Sequence, residues 1–283
     1  MHNGGIDRVE PSIQCKMKAS PYTANSPPFS PPIFLHFTPN FTPNHANGRI
    51  IKASSSSSSS DEKKSKIEIR VCTNRTCRKQ GSLEIFQVLS GIAPPYASVI
   101  SCGCLGRCGA GPNVVVLPEG AFLGHCGTPI KAVNLMSLVC GIDSSEANSS
   151  SENCLKALAL RKRAEDETSL GNFSIAYNLL SQAIDLNPFG GVHILLKDRS
   201  AARLAMGDTA GALEDATKAL TYAPNYHEGY ICLADALMAM DQFEAAEESY
   251  SVASELEPSI CRSKSFKARI AKLQEKVFPA NLG

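Results

Sequence analysis

The segments GNFSIAYNLLSQAIDLNP (171–188), GDTAGALEDATKALTYAP (207–224) and DQFEAAEESYSVASELEP (241–258) write one pattern three times. Their closing prolines, Pro188, Pro224 and Pro258, stand 36 and 34 residues apart. Ala176, Ala212 and Ala246 occupy one position of the pattern, and Ala183, Ala219 and Ala253 the next position on the same helical face. Small side chains at both points let paired helices approach closely. Units of this length cannot bury an apolar face alone, so they stack. The spacing predicts helix pairs over about 155–188, 191–224 and 225–258, closed by a last helix at 259–278 whose polar face ends the stack.

A 34-residue helix–turn–helix period is that of the tetratricopeptide repeat, and residues 154–258 resemble three such repeats. The resemblance implies an all-α solenoid that holds a protein partner in a groove. Some relatives grip acidic C-terminal tails of chaperones with Lys, Asn and Arg on the first helices of successive repeats. The matching positions here are Arg161, Glu165, Asp198, Glu228 and Cys232, of which Arg161 alone keeps the required character. Asp235 adds an acid one turn further, and Lys197 offsets part of the charge. Residues 143–258 carry nineteen acids against eight bases, before a closing helix that brings Arg262, Lys264, Lys267, Arg269, Lys272 and Lys276. Like charges in a groove cost affinity and slow encounter. The expected partner is a cationic or apolar segment, not an acidic chaperone tail.

Upstream, the periodicity changes. IEIRVCTN (67–74) alternates as a strand does, and residues 78–89 place Leu83, Phe86 and Leu89 at helical spacing before Ala93-Pro94-Pro95. A short strand over Ala97–Ser101 runs into SCGCLGRCGAGP. Two β-rich pieces then flank Pro118-Glu119-Gly120, a hairpin signal. TPIKAVNLMSLVCGI reads as an amphipathic helix with Thr128 as cap and Pro129 at its first position. The order β-α-β-β-β-α describes a small α/β domain over 61–142, and DSSEANSSSEN (143–153) reads as a linker.

Five of the eleven cysteines fall between positions 72 and 108. CTNRTC sets Cys72 and Cys77 at C-x4-C, and CLGRC sets Cys104 and Cys108 at C-x3-C, each pair on a loop that leaves a strand. Four thiolates suit a 2Fe–2S cluster. They also suit zinc, although structural zinc sites favour tighter knuckles. A catalytic dithiol wants C-x-x-C, whereas Cys102-Gly103-Cys104 is C-x-C. Cys102 stands as a strand residue or as a spare ligand in place of Cys104. Cys126, Cys140, Cys154, Cys232 and Cys261 read as small apolar residues, and His125 as a lone strand residue.

CLGRCGAGPNVVVLPEG, with its Gly-Pro after the last cysteine and its Val run, resembles the thioredoxin-like 2Fe–2S ferredoxins, among them the cluster-bearing small subunit of respiratory complex I. The resemblance spans residues 66–142 and implies a thioredoxin-like fold with one cluster held by Cys72, Cys77, Cys104 and Cys108. Arg75, Arg78, Lys79 and Arg107 then form a basic rim that compensates an anionic cluster or steers an acidic redox partner.

The rest of the chain narrows the reading. A net charge of +1 over 283 residues and the absence of Trp give no basis for nucleic-acid binding, and no stretch has the length and apolarity of a membrane span. Residues 1–60 hold eight Pro, a run from Ser54 to Ser60 and, beyond Met17, no acid. That composition reads as a disordered organelle transit peptide, chloroplast (stroma) before mitochondrion, with translation starting at Met1 or Met17. No catalytic arrangement, phosphate loop or dinucleotide fingerprint stands out. Two functions follow: an electron-transfer or cluster-carrying protein docked by its repeats, or a repeat scaffold assembling a chloroplast complex with a structural or sensing metal centre.

Overall fold

In the first strand of the chain, β1 (Ile67–Cys72), alternation decides which side chains are buried. Ile69 and Val71 turn inward and are fully buried, while Arg70 points out and pairs with Glu68 at 2.5 Å. The computed structural model describes residues 67–142 and 147–277, which lie in one compact unit. The expected transit peptide over residues 1–60 falls outside the described residues.

β2 (Ala97–Cys102) runs parallel to β1, in a register that sets Cys72 opposite Cys102. β3 (Val114–Leu117) and β4 (Ala121–Leu123) form an antiparallel hairpin on the other edge, giving the order β2-β1-β3-β4. Gly120 closes that hairpin at φ +71°, a conformation that suits glycine. The helices α2 (Ser82–Ile92) and α3 (Pro129–Val139) cover the Ile69/Val71 face with Ile85, Leu89, Val133 and Met136.

Three local expectations change. The single helix expected over 78–89 is two: α1 (Arg75–Lys79) and α2, separated by Gly81 at φ +91°. A left-handed residue there ends the first helix and re-aims the second. Leu83 consequently lies on the exposed side, whereas Ile85, Val88 and Leu89 face the core. Thr128 occupies the N-cap position of α3, but its side chain makes no capping bond; Pro129 does take the first position.

The repeats comprise α4 (Ala147–Ser169) with α5 (Phe173–Asp185), α6 (Val192–Ala205) with α7 (Thr209–Tyr222), and α8 (His227–Ala239) with α9 (Phe243–Leu256). A 3₁₀ turn over Pro258–Arg262 leads to α10 (Lys264–Val277). All six alanines of the repeated pattern have no exposed surface.

The expected linker over 143–153 is corrected, because α4 already begins at Ala147. Serine-rich composition predicted a loop, but tertiary contacts override it. Ser151 is buried and its hydroxyl bonds Asn134 Oδ1 on α3 at 3.2 Å, and Cys154 enters the core of the α/β lobe with Leu155 and Leu158 beside it. Phe189 reaches the same core from the turn between α5 and α6. Backbones meet at this joint. A Cβ on Gly190 would lie 2.0 Å from the Ile92 carbonyl oxygen, and one on Gly191, at φ +74°, would lie 2.3 Å from that of Gly91. Only glycine permits such an approach.

Candidate functional sites

The four singled-out cysteines gather at the end of the sheet as two pairs. Cys72 ends β1 and Cys77 sits on α1; both are buried, and each perturbs the other's thiol. This places Cys77 on a short helix and not on the loop that the spacing suggested. Asn74 starts the helix by accepting the Arg75 N–H at 2.6 Å. Cys104 and Cys108 are exposed, with their sulfurs 3.4 Å apart, and Cys108 opens a 3₁₀ turn that runs to Ala110.

Amide donors surround these sulfurs. The Gly106 N–H points to Cys104 Sγ at 3.4 Å, and Asn113 Nδ2 to Cys77 Sγ at 3.8 Å. Burial pushes the Cys72 thiol up, but backbone N–H groups of Asn74 and Leu105 outweigh it and leave it below the ordinary thiol value. The Cys77 thiol is raised, first by burial and then by Cys72, with a smaller contribution from Cys108. Among the described residues, no three His, Cys, Asp or Glu side chains converge as a single-ion site needs. The arrangement is two pairs in electrostatic reach of one another.

Cys102 is half-buried at the end of β2, where burial raises its thiol and Cys72 and Cys104 add smaller effects. Arg75, Arg78 and Lys79 are exposed on or beside α1. Arg107 lies over the Phe122 ring at 4.3 Å. None of the four has an acidic partner among the described residues. Two residues missed by the sequence reading hold the site together. Asn74 caps α1, and buried Asn113 ties the two loops by donating to the Arg107 carbonyl at 2.7 Å while its own carbonyl accepts from Cys72 N at 2.9 Å. A polar residue between Gly-Pro and a Val run was the available signal for Asn113.

The groove positions come together on α4, α6, α8 and α10. Asp198 accepts from Arg161 Nε and from Lys197 Nζ, each at 2.6 Å. Arg161 also pairs with Glu165 at 2.7 Å, and Lys197 with Glu228 at 3.3 Å. The Tyr226 hydroxyl donates to Glu228 at 2.7 Å. Further along, both carboxylate oxygens of Asp235 accept from Arg269 Nε at 2.9 Å, and Oδ1 also accepts from the Tyr250 hydroxyl at 2.5 Å. The expectation of an acidic groove is therefore corrected. Each of its four acids has a cation in contact, and Arg269 reaches in from the closing helix. Sequence position separated these partners; stacking the helices joined them.

One further residue, His193, belongs to the groove beside the expected Cys232. His193 is buried against Tyr226, with ring centroids 5.0 Å apart, and burial together with Arg161 lowers its pKa to about 4. Burial pushes the Cys232 thiol up to about 12. At the first-repeat end, the C-terminus of α2 lies on the groove: a Cβ on Gly91 would stand 2.6 Å from Leu158 Cδ1 and 3.8 Å from Arg161 Nη1. At the other end, a cavity of about 290 Å³ opens between Leu204, Ala201, Cys232, Asp235 and Arg269.

The sequence profile of the tetratricopeptide repeat matches residues 203–270. A Dictyostelium discoideum protein, "Protein STIP1 homolog", is 34% identical over 109 residues, 38% of this chain and 19% of that protein. Mouse serine/threonine-protein phosphatase 5 is 34% identical over 104 residues, 37% of this chain and 20% of that enzyme. The matched stretch thus spans about a fifth of these relatives. Among solved structures, the Sgt2 TPR domain of Aspergillus fumigatus is 28% identical, with a TM-score of 0.40, over 45% of this chain and 82% of that one. The first TPR domain of Spaghetti (RPAP3), bound to an HSP90 peptide, is 22% identical, with a TM-score of 0.39, over 44% and 94%. The helical part of this chain carries tetratricopeptide repeats, a protein-interaction module, and the α/β lobe precedes them. No described helix is long and apolar enough to cross a membrane.

Proposed function

We propose that this chain is a docking scaffold: its repeat groove holds a protein segment while the cysteine lobe, fixed to the first repeat, carries a 2Fe–2S centre with a structural or sensing role. The observation that carries the scaffold reading is the groove itself, an interaction module whose charged side chains pair between α4, α6 and α8 and again between α8 and α10. We assign no catalysis to the chain. The groove does not take acidic chaperone tails, because a carboxylate would have to displace Asp198 and Glu165 from Arg161 and pass the end of α2. Of the two expected occupants, an apolar segment fits better than a cationic one, because Arg269 and Tyr250 already engage the Asp235 carboxylate. Isothermal calorimetry of the full chain against an acidic chaperone-tail peptide is expected to show no binding. Micromolar binding lost on Arg161→Ala would overturn this reading.

The metal reading rests on the sulfurs. Two thiol pairs with N–H donors aimed at them suit two irons, each held by two thiolates, whereas one tetrahedral zinc asks for all four sulfurs at one point. Cys72, Cys77, Cys104 and Cys108 would hold the cluster, with Cys102 as the spare candidate. When bound, such a cluster stores and releases one electron. Asn113 and the amide donors would favour its anionic state, and unpaired Arg75, Arg78, Lys79 and Arg107 would meet an acidic redox partner. Electron transfer is the second reading, favoured by that unpaired rim. Anaerobic purification, iron and sulfide analysis, and paramagnetic resonance before and after reduction test the centre. Serine at any of the four positions is expected to abolish it, and Cys102→Ser to leave it. Zinc in place of iron, or loss on Cys102→Ser alone, would refute the assignment. Residues 17–60 fused to a reporter test the proposed chloroplast address; a purely mitochondrial or cytosolic signal would refute it.

A further inference from the structure

The two thiol pairs differ in accessibility, and that difference has a chemical consequence. Cys72 and Cys77 are each 1% exposed, at the end of β1 and on the inner side of α1. Cys104 and Cys108 are open to solvent with their sulfurs 3.4 Å apart. The loop that carries them is loosely surrounded: a Cβ built on Gly103, Gly106 or Gly109 would meet nothing within 4 Å, and Gly106 adopts φ +83°. Three residues separate the cysteines, so a small turn of this loop brings the sulfurs to bonding distance without disturbing the sheet. The Gly106 N–H points at Cys104 Sγ at 3.4 Å, which helps hold that sulfur facing its partner.

We propose that Cys104 and Cys108 form an exchange dithiol whose oxidant is a low-mass disulfide such as oxidised glutathione, and that its oxidation blocks loading of the cysteine site. One thiolate attacks a sulfur of the small disulfide, forming a mixed disulfide and expelling one small thiolate, which takes up the proton released. The second cysteine then attacks the protein-side sulfur, closing the Cys104–Cys108 bond and expelling the second small thiol. The protein loses two protons and two electrons, and the small disulfide gains them. The buried pair does not take part, since no disulfide can reach it in the folded chain. The blocking half of this proposal rests on the metal reading above; the exchange half does not.

The test uses the full-length, metal-free, reduced chain incubated with oxidised glutathione, quenched with acid and mapped by proteolysis and mass spectrometry. The expected product is a Cys104–Cys108 crosslink that dithiothreitol reverses, with Cys72 and Cys77 still free thiols after unfolding. Cys104→Ser is expected to stop at a glutathione adduct on Cys108. Stable adducts on both cysteines of the unaltered chain, or a crosslink forming first at Cys72 or Cys77, would overturn the exchange assignment. Iron and sulfide reconstitution is then run on the reduced and the crosslinked chain. Loading of the reduced chain alone supports the block, and equal loading of both overturns it. If neither loads while the crosslink forms, the metal reading and the block fail and the exchange dithiol stands.

Discussion

The α/β lobe and the repeat solenoid bury their interiors by opposite means. The lobe fills space with large side chains: Ile69, Val71, Ile85, Leu89, Val114 and Met136 are all buried between one sheet and two helices. The solenoid fills space with backbone. Ala176, Ala183, Ala212, Ala219, Ala246 and Ala253 have no exposed surface because neighbouring helices close directly over them. Charge follows the same division. The rim cations of the lobe have no acidic partner among the described residues, whereas those at the helix contacts of the solenoid meet carboxylates, most completely where Arg199 bonds fully buried Asp215 at 2.7 and 2.8 Å. A core made of side chains suffers most when trimmed, and a core made of close helices suffers most when filled or stripped of its ion pairs.

The sharpest break in that comparison is Asp215→Ala. It leaves Arg199 unpaired and removes a contact that Arg203 makes at 3.4 Å, both between α6 and α7. Removing one partner of a buried ion pair costs about 3–5 kcal/mol, and a urea midpoint lowered to match is expected. Asp208→Ala, at a half-exposed partner of Arg203, should cost well under that. An equal effect of both would show that burial does not distinguish them.

The next break crosses the two regions. Leu89→Ala empties the lobe core and is expected to cost about 2–5 kcal/mol. Ala246→Leu overfills a helix contact and is expected to cost about 1–3 kcal/mol although it adds apolar surface. Thermal unfolding of both variants reads the outcome; stabilisation by Ala246→Leu would mean that the α8–α9 contact has slack.

Acid sharpens the comparison at the groove. His193, surrounded by Arg161 on α4, Lys197 on its own helix, and Glu228 and Tyr226 at α8, has its pKa lowered from 6.5 to about 4. A folded-state pKa below the unfolded one means that the unfolded chain binds the proton first. Stability is therefore intact above pH 6.5 and lost as pH falls from 6.5 through about 4. At about 1.36 kcal/mol per pH unit, the full loss is about 3 kcal/mol. His193→Gln should flatten that part of the profile. Burial raises the Glu228 carboxyl, but Lys197 and Tyr226 outweigh it and hold it low. Its contribution is therefore lost only as pH falls below the ordinary value of 4.5, after most of the His193 loss. A profile unchanged by His193→Gln would remove this histidine from the account.

The smallest effect lies on the solenoid surface. Lys218 and Glu214 meet at 2.6 Å, but both are more than half exposed. Lys218→Ala is expected to change stability by less than about 0.5 kcal/mol, within the resolution of denaturant titration. A larger change would show that the exposed charges of the solenoid form a coupled network.

Much of this was readable from one dimension. Alternation in IEIRVC selects Ile69 and Val71 for the core, and the alanines of the repeated pattern select the helix contacts, because both periods belong to the backbone itself. Spacing likewise picked out two cysteine pairs. Composition failed where a segment's fate depends on what lies against it. The serine-rich stretch before Cys154 becomes helix because α3 and the lobe core offer Ser151 a bond and Cys154 a pocket. Leu83 shares a helical spacing with Phe86 and Leu89 yet ends on the exposed side, because nothing local announces that Gly81 turns the helix.

The groove shows the division most clearly. Its acids could be counted along the chain, but their partners could not: Arg161 and Asp198 are 37 residues apart, and Asp235 and Arg269 are 34 apart. Local order, meaning strand period, helix period, repeat length and the positions of the thiols, was determined by the sequence alone, since it depends on neighbours within a few residues. Which charges cancel, which thiols stay open to solvent, and how closely Gly190 and Gly191 seat against Gly91 and Ile92 were decided only by the tertiary structure. Coulomb attraction, solvent access and van der Waals contact act through space, and the chain fixes those distances only when it folds.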